Sequence, residues 1–197
     1  MNGALLLATR NAHKLREFAR LLPGVELDGL PQGLESPEET GETYAENALI
    51  KARAAARATG RVAIADDSGV EAEALGRRPG VRSARYAGET ASDGENLAKL
   101  RAEVPAGSAL RYVCVIARVT PDGGEELFEG ACEGTMAPEA RGERGFGYDP
   151  IFVPADDVAQ GRTMAELDDA EKDAISHRGR AARALLGRLE RLDHLER

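Results

Sequence analysis

Two alternating runs, Leu110 to Val119 and Glu125 to Met136, flank the turn Pro121-Asp122-Gly123-Gly124, and this late hairpin restricts the fold more than any other feature. Alternation on both sides of a Gly-Gly turn is the pattern of two paired antiparallel strands. The first half of the chain has a different rhythm. Met1 to Ala8 reads as a short apolar strand, then Thr9-Arg10-Asn11 leads into a helix to Leu22. Leu15, Phe18 and Leu22 share one face of that helix, and Pro23-Gly24 ends it. Val25 to Leu30 is predicted as a second strand. Thr43-Tyr44-Ala45-Glu46 is a capping box opening a helix to about Thr59, with Gly60 as its stop. Val62 to Ala65 is predicted as a short buried strand ending in Asp66-Asp67-Ser68-Gly69. Ser92-Asp93-Gly94-Glu95 opens another helix to Glu103, and Ile151-Phe152-Val153 is a short strand. A final helix runs from about Ile175, with Ala181, Leu185, Leu189 and Leu192 turned inward. Helices alternating with strands early and a hairpin late imply an α/β fold on a mixed sheet. The 197 residues carry no repeat and no linker, so one domain or two joined lobes are expected.

Charge narrows the partners. The net charge is −8, and no basic cluster is interleaved with aromatics. That argues against duplex DNA or RNA, because phosphate backbones are held by a basic footprint. A small anionic substrate fits if the cations are concentrated in one place. No apolar run reaches the length of about 18 residues that a membrane helix requires, and the opening Met1-Asn2-Gly3-Ala4-Leu5 lacks the basic start of a signal peptide. Cys114 and Cys132 stand far apart without a CxxC pair, as buried free thiols of a reducing cytosol do.

The cations themselves are unevenly divided. Twenty-two are arginines and only four are lysines: Lys14, Lys51, Lys99 and Lys172. In such a background a lysine points to a position that needs a compact ammonium rather than a planar fork.

Five segments carry chemistry. Thr9-Arg10-Asn11-Ala12-His13-Lys14 is a strand-to-helix junction, where free backbone N–H groups and a nearby ammonium suit phosphate. It is also how an ordinary capped helix begins. Neither a Walker A sequence nor GxGxxG is present, so a phosphate site here is of another kind. Asp66-Asp67-Ser68-Gly69 puts two acids after an apolar strand, pointing to opposite sides. One facing a ligand is able to take up Mg²⁺ or a proton. Haloacid-dehalogenase phosphatases need Asp-x-Asp, and Ser68 stands where their second Asp belongs. The acidic loop with Glu38 and Glu39 offers a second carboxylate for a metal, or simply a solvated face. Gly145-Phe146-Gly147-Tyr148-Asp149-Pro150 sets aromatics between glycines, a place for a flat ring to stack or a plain tight turn. Lys172 to Gly179 is a charged run leading into the last helix, with Lys172 and Arg178 suited to a phosphate and a keto oxygen.

Taken in order, these segments resemble the inosine triphosphate pyrophosphatase family of purine triphosphate hydrolases, from Leu7 to about Leu189. The shared blocks are Ala8 to Lys14, Glu46 to Ala52, Ala65 to Gly69, Pro79 to Tyr86, Phe146 to Pro150 and Ser176 to Gly179. The resemblance implies a single pyrophosphatase domain over 1–197, an elongated two-lobed mixed α/β structure with the nucleotide between the lobes. It also implies a cytoplasmic homodimer that uses Mg²⁺. Thr9, Arg10, Asn11, Ala12, His13 and Lys14 would cradle the triphosphate, with Lys51. Asp67 would be the catalytic acid–base residue and a metal ligand, completed by a Glu of the 38–39 pair, Glu39 preferred over Glu38. Ser68 would touch substrate. Phe146, Gly147, Tyr148 and Asp149 would hold base and sugar, and Lys172, His177 and Arg178 would close the site. The family position at Arg10 is often small, which leaves its side chain without an assigned role. The implied reaction turns dITP, ITP or XTP into the monophosphate and pyrophosphate. Two other readings are a pyrophosphatase with a different base preference and a nucleotide-binding sensor that does not cleave.

Overall fold

The computed structural model describes residues 4–195. Met1, Asn2 and Gly3 of the expected first strand, and the last two residues of the 1–197 span, lie outside the described residues. The chain runs β1 (Leu5–Leu7), α1 (Ala12–Leu21), β2 (Leu27–Gly29), α2 (Tyr44–Thr59), β3 (Ala63–Ala72), β4 (Arg78–Pro79) and α3 (Asp93–Glu103). Then come β5 (Ala109–Val119), β6 (Glu125–Met136), β7 (Phe152–Pro154), α4 (Asp169–Ile175) and α5 (His177–Leu195). The strands form one sheet in the order β2-β1-β3-β5-β6-β7, with β4 paired to β3. β1 is parallel to β2 and β3, whereas β4 is antiparallel to β3 and β7 to β6. The fold is thus the mixed α/β sheet flanked by helices that the element order implies.

Two compact units divide the chain. One comprises Met1–Asp67, Cys114–Gly130 and Arg180–Arg197, the other Ser68–Val113 and Ala131–Gly179. The core of the first unit is sorted by strand alternation. Leu5, Leu7, Ile64, Cys114 and Ile116 pack with Phe18 and Leu22 near α1 and with Ala181, Leu185 and Leu189 of α5. The intervening Leu6, Ala8, Ala63, Ala65 and Ala117 pack instead with Ala48, Ala52, Ala55 and Ala56 of α2. Successive side chains on a strand leave on opposite faces, which is why one apolar run serves two helix layers. The second unit has one core, built around Val70, Leu100, Tyr112, Met136, Phe152 and Met164.

Capping explains most helix ends. Thr43, Ser92 and Asp168 each form a full capping box, with Glu46, Glu95 and Glu171, and Gly60 ends α2 in the left-handed region at φ 66°.

Two expectations are corrected. The strand predicted for Val62 to Ala65 continues to Ala72, so Asp66 and Asp67 lie within β3 rather than in a turn after it. The acids are tolerated there because each has a cationic partner, Lys14 for Asp66 and Lys51 for Asp67. The charged run at Lys172 to Gly179 is not a single helix start. Ser176, at φ −67° and ψ 156°, breaks it into α4 and α5, and its Oγ accepts the N–H of Gly179 as the cap of α5. The corner is tight: a Cβ on Gly179 would sit 2.0 Å from the Asp173 carbonyl oxygen.

Phe18 is fully buried against α5 and β1. Phe18→Ala is expected to cost about 3–5 kcal/mol of unfolding free energy, read as a lower urea midpoint at unchanged slope.

Candidate active site

The site begins with two adjacent carboxylates inside a strand. Asp66 and Asp67 are buried, at 2% and 6% exposure, and an isolated charge there would be strongly disfavoured. Alternation along β3 sends them to the two helix layers. Asp66 meets α1, where Lys14 Nζ lies 2.9 Å from its Oδ2, and Cys114 Sγ lies 3.9 Å from the same oxygen. Asp67 meets α2, one turn of which presents Asn47 and Lys51 at i and i+4. Asn47 Nδ2 donates to Asp67 Oδ2 at 3.1 Å, and Lys51 Nζ stands 3.7 Å from Oδ1.

The electrostatics follow from burial and from who sits nearby. Burial raises the pKa of Asp67 above the ordinary aspartate value. Lys51, Lys14 and the Asn47 amide pull the other way, while the charge of Glu39 adds to the rise. For Lys51, burial works against the charge, but Asp67, Asp66 and Glu39 together outweigh it and raise its pKa. Lys51 is thus held firmly cationic, and Asp67 is shifted toward the range where a carboxylate accepts a proton at moderate pH.

The turn before α1 is folded on itself. Thr9 Oγ1 accepts from the Asn11 N–H at 3.2 Å. Asn11 caps the helix, its Oδ1 accepting from the N–H groups of His13 at 2.9 Å and Lys14 at 3.3 Å. Two of the helix-start donors that suit phosphate are therefore already satisfied by Asn11. Ala12 and His13 are exposed, and His13 Nδ1 lies 2.9 Å from Arg16 Nη2. Arg10 is also exposed, and its guanidinium is turned back to carbonyls of the acidic loop.

That loop, residues 30–43 between β2 and α2, brings one of the two expected glutamates to the site. Glu39 Oε1 lies 2.6 Å from Lys51 Nζ, so Lys51 links Glu39 with Asp67. Glu38 is exposed, and among the described residues it pairs with neither Lys51 nor Asp67. The far end of the loop is fixed by Asn47, whose Oδ1 accepts the Gly41 N–H at 2.8 Å. Among the described residues no group of three or more His, Cys, Asp or Glu side chains is arranged to hold a metal. The donor set is nevertheless of the right kind. Asp67 and Glu39 supply hard oxygens about one lysine, and their mutual repulsion, which contributes to the raised pKa of Asp67, is relieved by a divalent cation. Mg²⁺ commonly takes only one or two protein carboxylates.

The second unit holds the remaining expected residues. Asp149, 3% exposed, accepts three hydrogen bonds: from Lys172 Nζ at 2.8 Å, the Phe146 N–H at 2.9 Å and the Tyr112 hydroxyl at 3.2 Å. Gly145 must be glycine, with φ 74° and a would-be Cβ 2.1 Å from Asp149 Oδ2. Phe146 is half-buried. Lys172 Nζ lies 5.4 Å and Arg178 Cζ 5.6 Å from its ring centre, both within cation–π range. Arg178, itself buried, donates through Nη2 to Ser68 Oγ at 2.9 Å. Tyr148 is buried and donates to the Ser83 carbonyl at 2.7 Å, and the Gly147 N–H donates to Asp93 at 3.0 Å. His177 stacks on Tyr112, rings 4.5 Å apart, and Tyr112 stacks in turn on Phe152 at 4.2 Å. The expected residues therefore sort by unit. Thr9 to Lys14, Glu38, Glu39, Lys51 and Asp67 belong to the first, and Ser68, Phe146 to Asp149, Lys172, His177 and Arg178 to the second.

Residues 5–188 match the profile of the Ham1 family. This chain belongs to the Ham1 family. It is 52% identical to the dITP/XTP pyrophosphatase of Symbiobacterium thermophilum over 95% of each chain. It is 49% identical to the dITP/XTP pyrophosphatase of Cutibacterium acnes, over 92% of this chain and 94% of that one. Among solved structures, a HAM1 protein from Coxiella burnetii superposes with a TM-score of 0.84 at 43% identity, covering 95% of this chain and 98% of the other.

Two of these residues, Asn47 in the first unit and Tyr112 in the second, are given no role by the sequence motifs. Asn47 carries a signal in retrospect: it is a polar residue on the alanine face of α2, fully buried beside Ala48 and Ala52. Tyr112 lies in a mostly apolar strand, between Arg111 and Val113, and has no such mark. Its hydroxyl is held well above the ordinary tyrosine pKa by burial and by Asp149, so it stays a donor to that carboxylate.

The raised pKa of Asp67 has a consequence for stability. The unfolded chain gives up this proton first, so ionised Asp67 costs the folded Ham1 chain stability as pH rises above the ordinary aspartate value of about 4. Without metal, in chelator, Asp67→Asn is expected to melt higher than the wild type at pH 7, with the gap shrinking as pH falls toward about 4. A wild type at least as stable as the variant throughout that range would contradict this picture.

Proposed function

We infer that this chain is a nucleoside triphosphate pyrophosphatase acting on non-standard purine nucleotides, dITP or ITP and XTP or dXTP, releasing monophosphate and pyrophosphate. The observation that carries the reading is the buried Asp66–Asp67 pair with one lysine for each acid. Two lysine–aspartate contacts at adjacent strand positions gather cations and acids in the way that handling a polyanion would require. The relatives' names supply the substrate class.

The proposed chemistry uses Asp67 as the base. A water gives its proton to Asp67 while its oxygen attacks the α-phosphorus, and the bond from that phosphorus to the α–β bridging oxygen breaks. Pyrophosphate leaves with that bridging oxygen. Lys14 and Lys51, held to Asp66 and Glu39 in the free chain, would turn to the triphosphate and neutralise the departing charge. Electrostatic stabilisation of this kind usually lowers the barrier more than any other single effect. The Thr9-to-Lys14 turn would take the phosphates through its backbone and the Asn11 amide. Asp67 and Glu39, with Glu38 as the alternative, would hold Mg²⁺. When bound, such an ion withdraws charge from phosphate oxygens and orients them.

Base selection is proposed to lie with Phe146, Lys172 and Arg178. A purine stacked on Phe146 would offer its 6-keto oxygen to the Arg178 guanidinium. Adenine, with an amino group there, would set one donor against another, a mismatch worth up to about 10⁴-fold. We propose further that the enzyme works as a cytoplasmic homodimer. Both cysteines are free and buried, in keeping with a reducing compartment, and no helix among the described residues is long and apolar enough to cross a membrane.

The test is product identification. With dITP and Mg²⁺ the chain is expected to yield pyrophosphate and dIMP, and dATP to react far more slowly. Asp67→Asn should lower kcat by about 10²-fold or more while dITP still binds. Orthophosphate as the product, or full activity in the variant, would remove Asp67 and the α-phosphorus from the scheme.

A further inference from the structure

We propose that Arg10 is a positioning residue, a clasp that ties the acidic loop to the turn before α1 and so fixes where Glu39 stands. The side chain reaches across more than twenty residues of sequence. Its Nη2 donates to the carbonyl oxygens of Pro31, at 3.0 Å, and Leu34, at 2.5 Å. Hydrogen bonds from a guanidinium are stronger than neutral ones, and two from a single group fix direction as well as distance.

The loop needs such a restraint. Residues 30–43 form neither helix nor strand. Their own bonding near Pro31 is one turn, in which the Leu34 N–H donates to the Pro31 carbonyl. Apolar support is modest: Leu30, Leu34 and Pro37 border a small recess against Lys51, Ala54 and Ala55. Ordering a segment this long costs conformational entropy at every residue. The far end is well held, since Asn47 takes the Gly41 N–H and Glu46 takes those of Glu42 and Thr43. Glu39 lies between the two anchors and contacts Lys51. Arg10 is the anchor on the near side. The geometry also answers why a bulky cation is accommodated next to the phosphate turn. Its fork is committed to carbonyls, so it holds the loop and leaves the phosphates to the backbone and to Lys14.

This inference rests on the proposed role of Glu39 toward Mg²⁺, and the experiment separates the two. Hydrogen exchange is measured by mass spectrometry on the metal-free wild type, Arg10→Met and Arg10→Lys. Arg10→Met keeps most of the stem and loses the donors. Amides in 31–40 are expected to exchange roughly tenfold faster or more in Arg10→Met, with those of α2 unchanged and Arg10→Lys in between. In pyrophosphate release from dITP, the Mg²⁺ concentration for half-maximal rate should rise several-fold in Arg10→Met, by more than kcat falls, with partial recovery in Arg10→Lys. Unchanged exchange in 31–40 would overturn the clasp. A loosened loop with an unaltered Mg²⁺ requirement would equally overturn the positioning role. If the wild type released no pyrophosphate, the functional reading would fail while the exchange data still decided whether Arg10 holds the loop.

Discussion

The structure turns on two neighbouring acids that a strand forces apart. Asp66 and Asp67 are consecutive in β3 and both buried, so alternation commits one to each helix layer of the first unit. Neither layer is able to shelter a bare carboxylate. α1 therefore begins with Lys14 against Asp66, and α2 presents Asn47 and Lys51 to Asp67. The two helix starts, the loop between β2 and α2, and the position of Glu39 follow from meeting that one electrostatic demand. Removing a lysine from such a set is costly because it leaves its carboxylate buried without that cation. A triphosphate, carrying several negative charges of its own, is the kind of ligand that competes for those lysines.

The second unit is organised by one carboxylate in the same spirit. Asp149 gathers Lys172, the Phe146 N–H and the Tyr112 hydroxyl, and this fixes the ring of Phe146 beside two cations. The stack of Phe152, Tyr112 and His177 then locks the tyrosine from behind. Lys172 and Arg178 are thereby oriented about the ring in the free chain, and for the base binding proposed above such pre-organisation would lower the entropic cost. One of the places where the chain passes from one unit to the other falls between Asp67 and Ser68, so the acid proposed for the chemistry and the residue whose hydroxyl Arg178 contacts are neighbours in sequence.

Much of this is legible in the sequence alone. Capping boxes at Thr43 and Ser92 announce α2 and α3, because the boxes are local and their chemistry is explicit. The Gly-Gly turn places the hairpin of β5 and β6 for the same reason. What the sequence hides depends on distant partners. β3 looks as if it should stop before Asp66, since acids are poor strand interiors, and only Lys14 and Lys51, far away in the chain, make its continuation tolerable. The break at Ser176 is masked by an unbroken charged run, although Asp168 and Ser176 are both capping types. Arg10 looks like a phosphate contact from its position and is instead committed to Pro31 and Leu34, which no spacing rule connects to it. Tyr112 is ordinary as a strand residue and acquires its role only from Asp149.

The most direct measurement for the mechanism as a whole follows oxygen through the reaction. A single turnover of dITP in ¹⁸O-water, with the products separated and weighed by mass spectrometry, reports which phosphorus the water attacks. Attack prepared by Asp67 at the α-phosphorus places the label in the nucleoside monophosphate and leaves the pyrophosphate unlabelled. Label in the pyrophosphate instead would mean attack at the β-phosphorus, and the arrangement of Asp67 with its two lysines would have to be explained some other way.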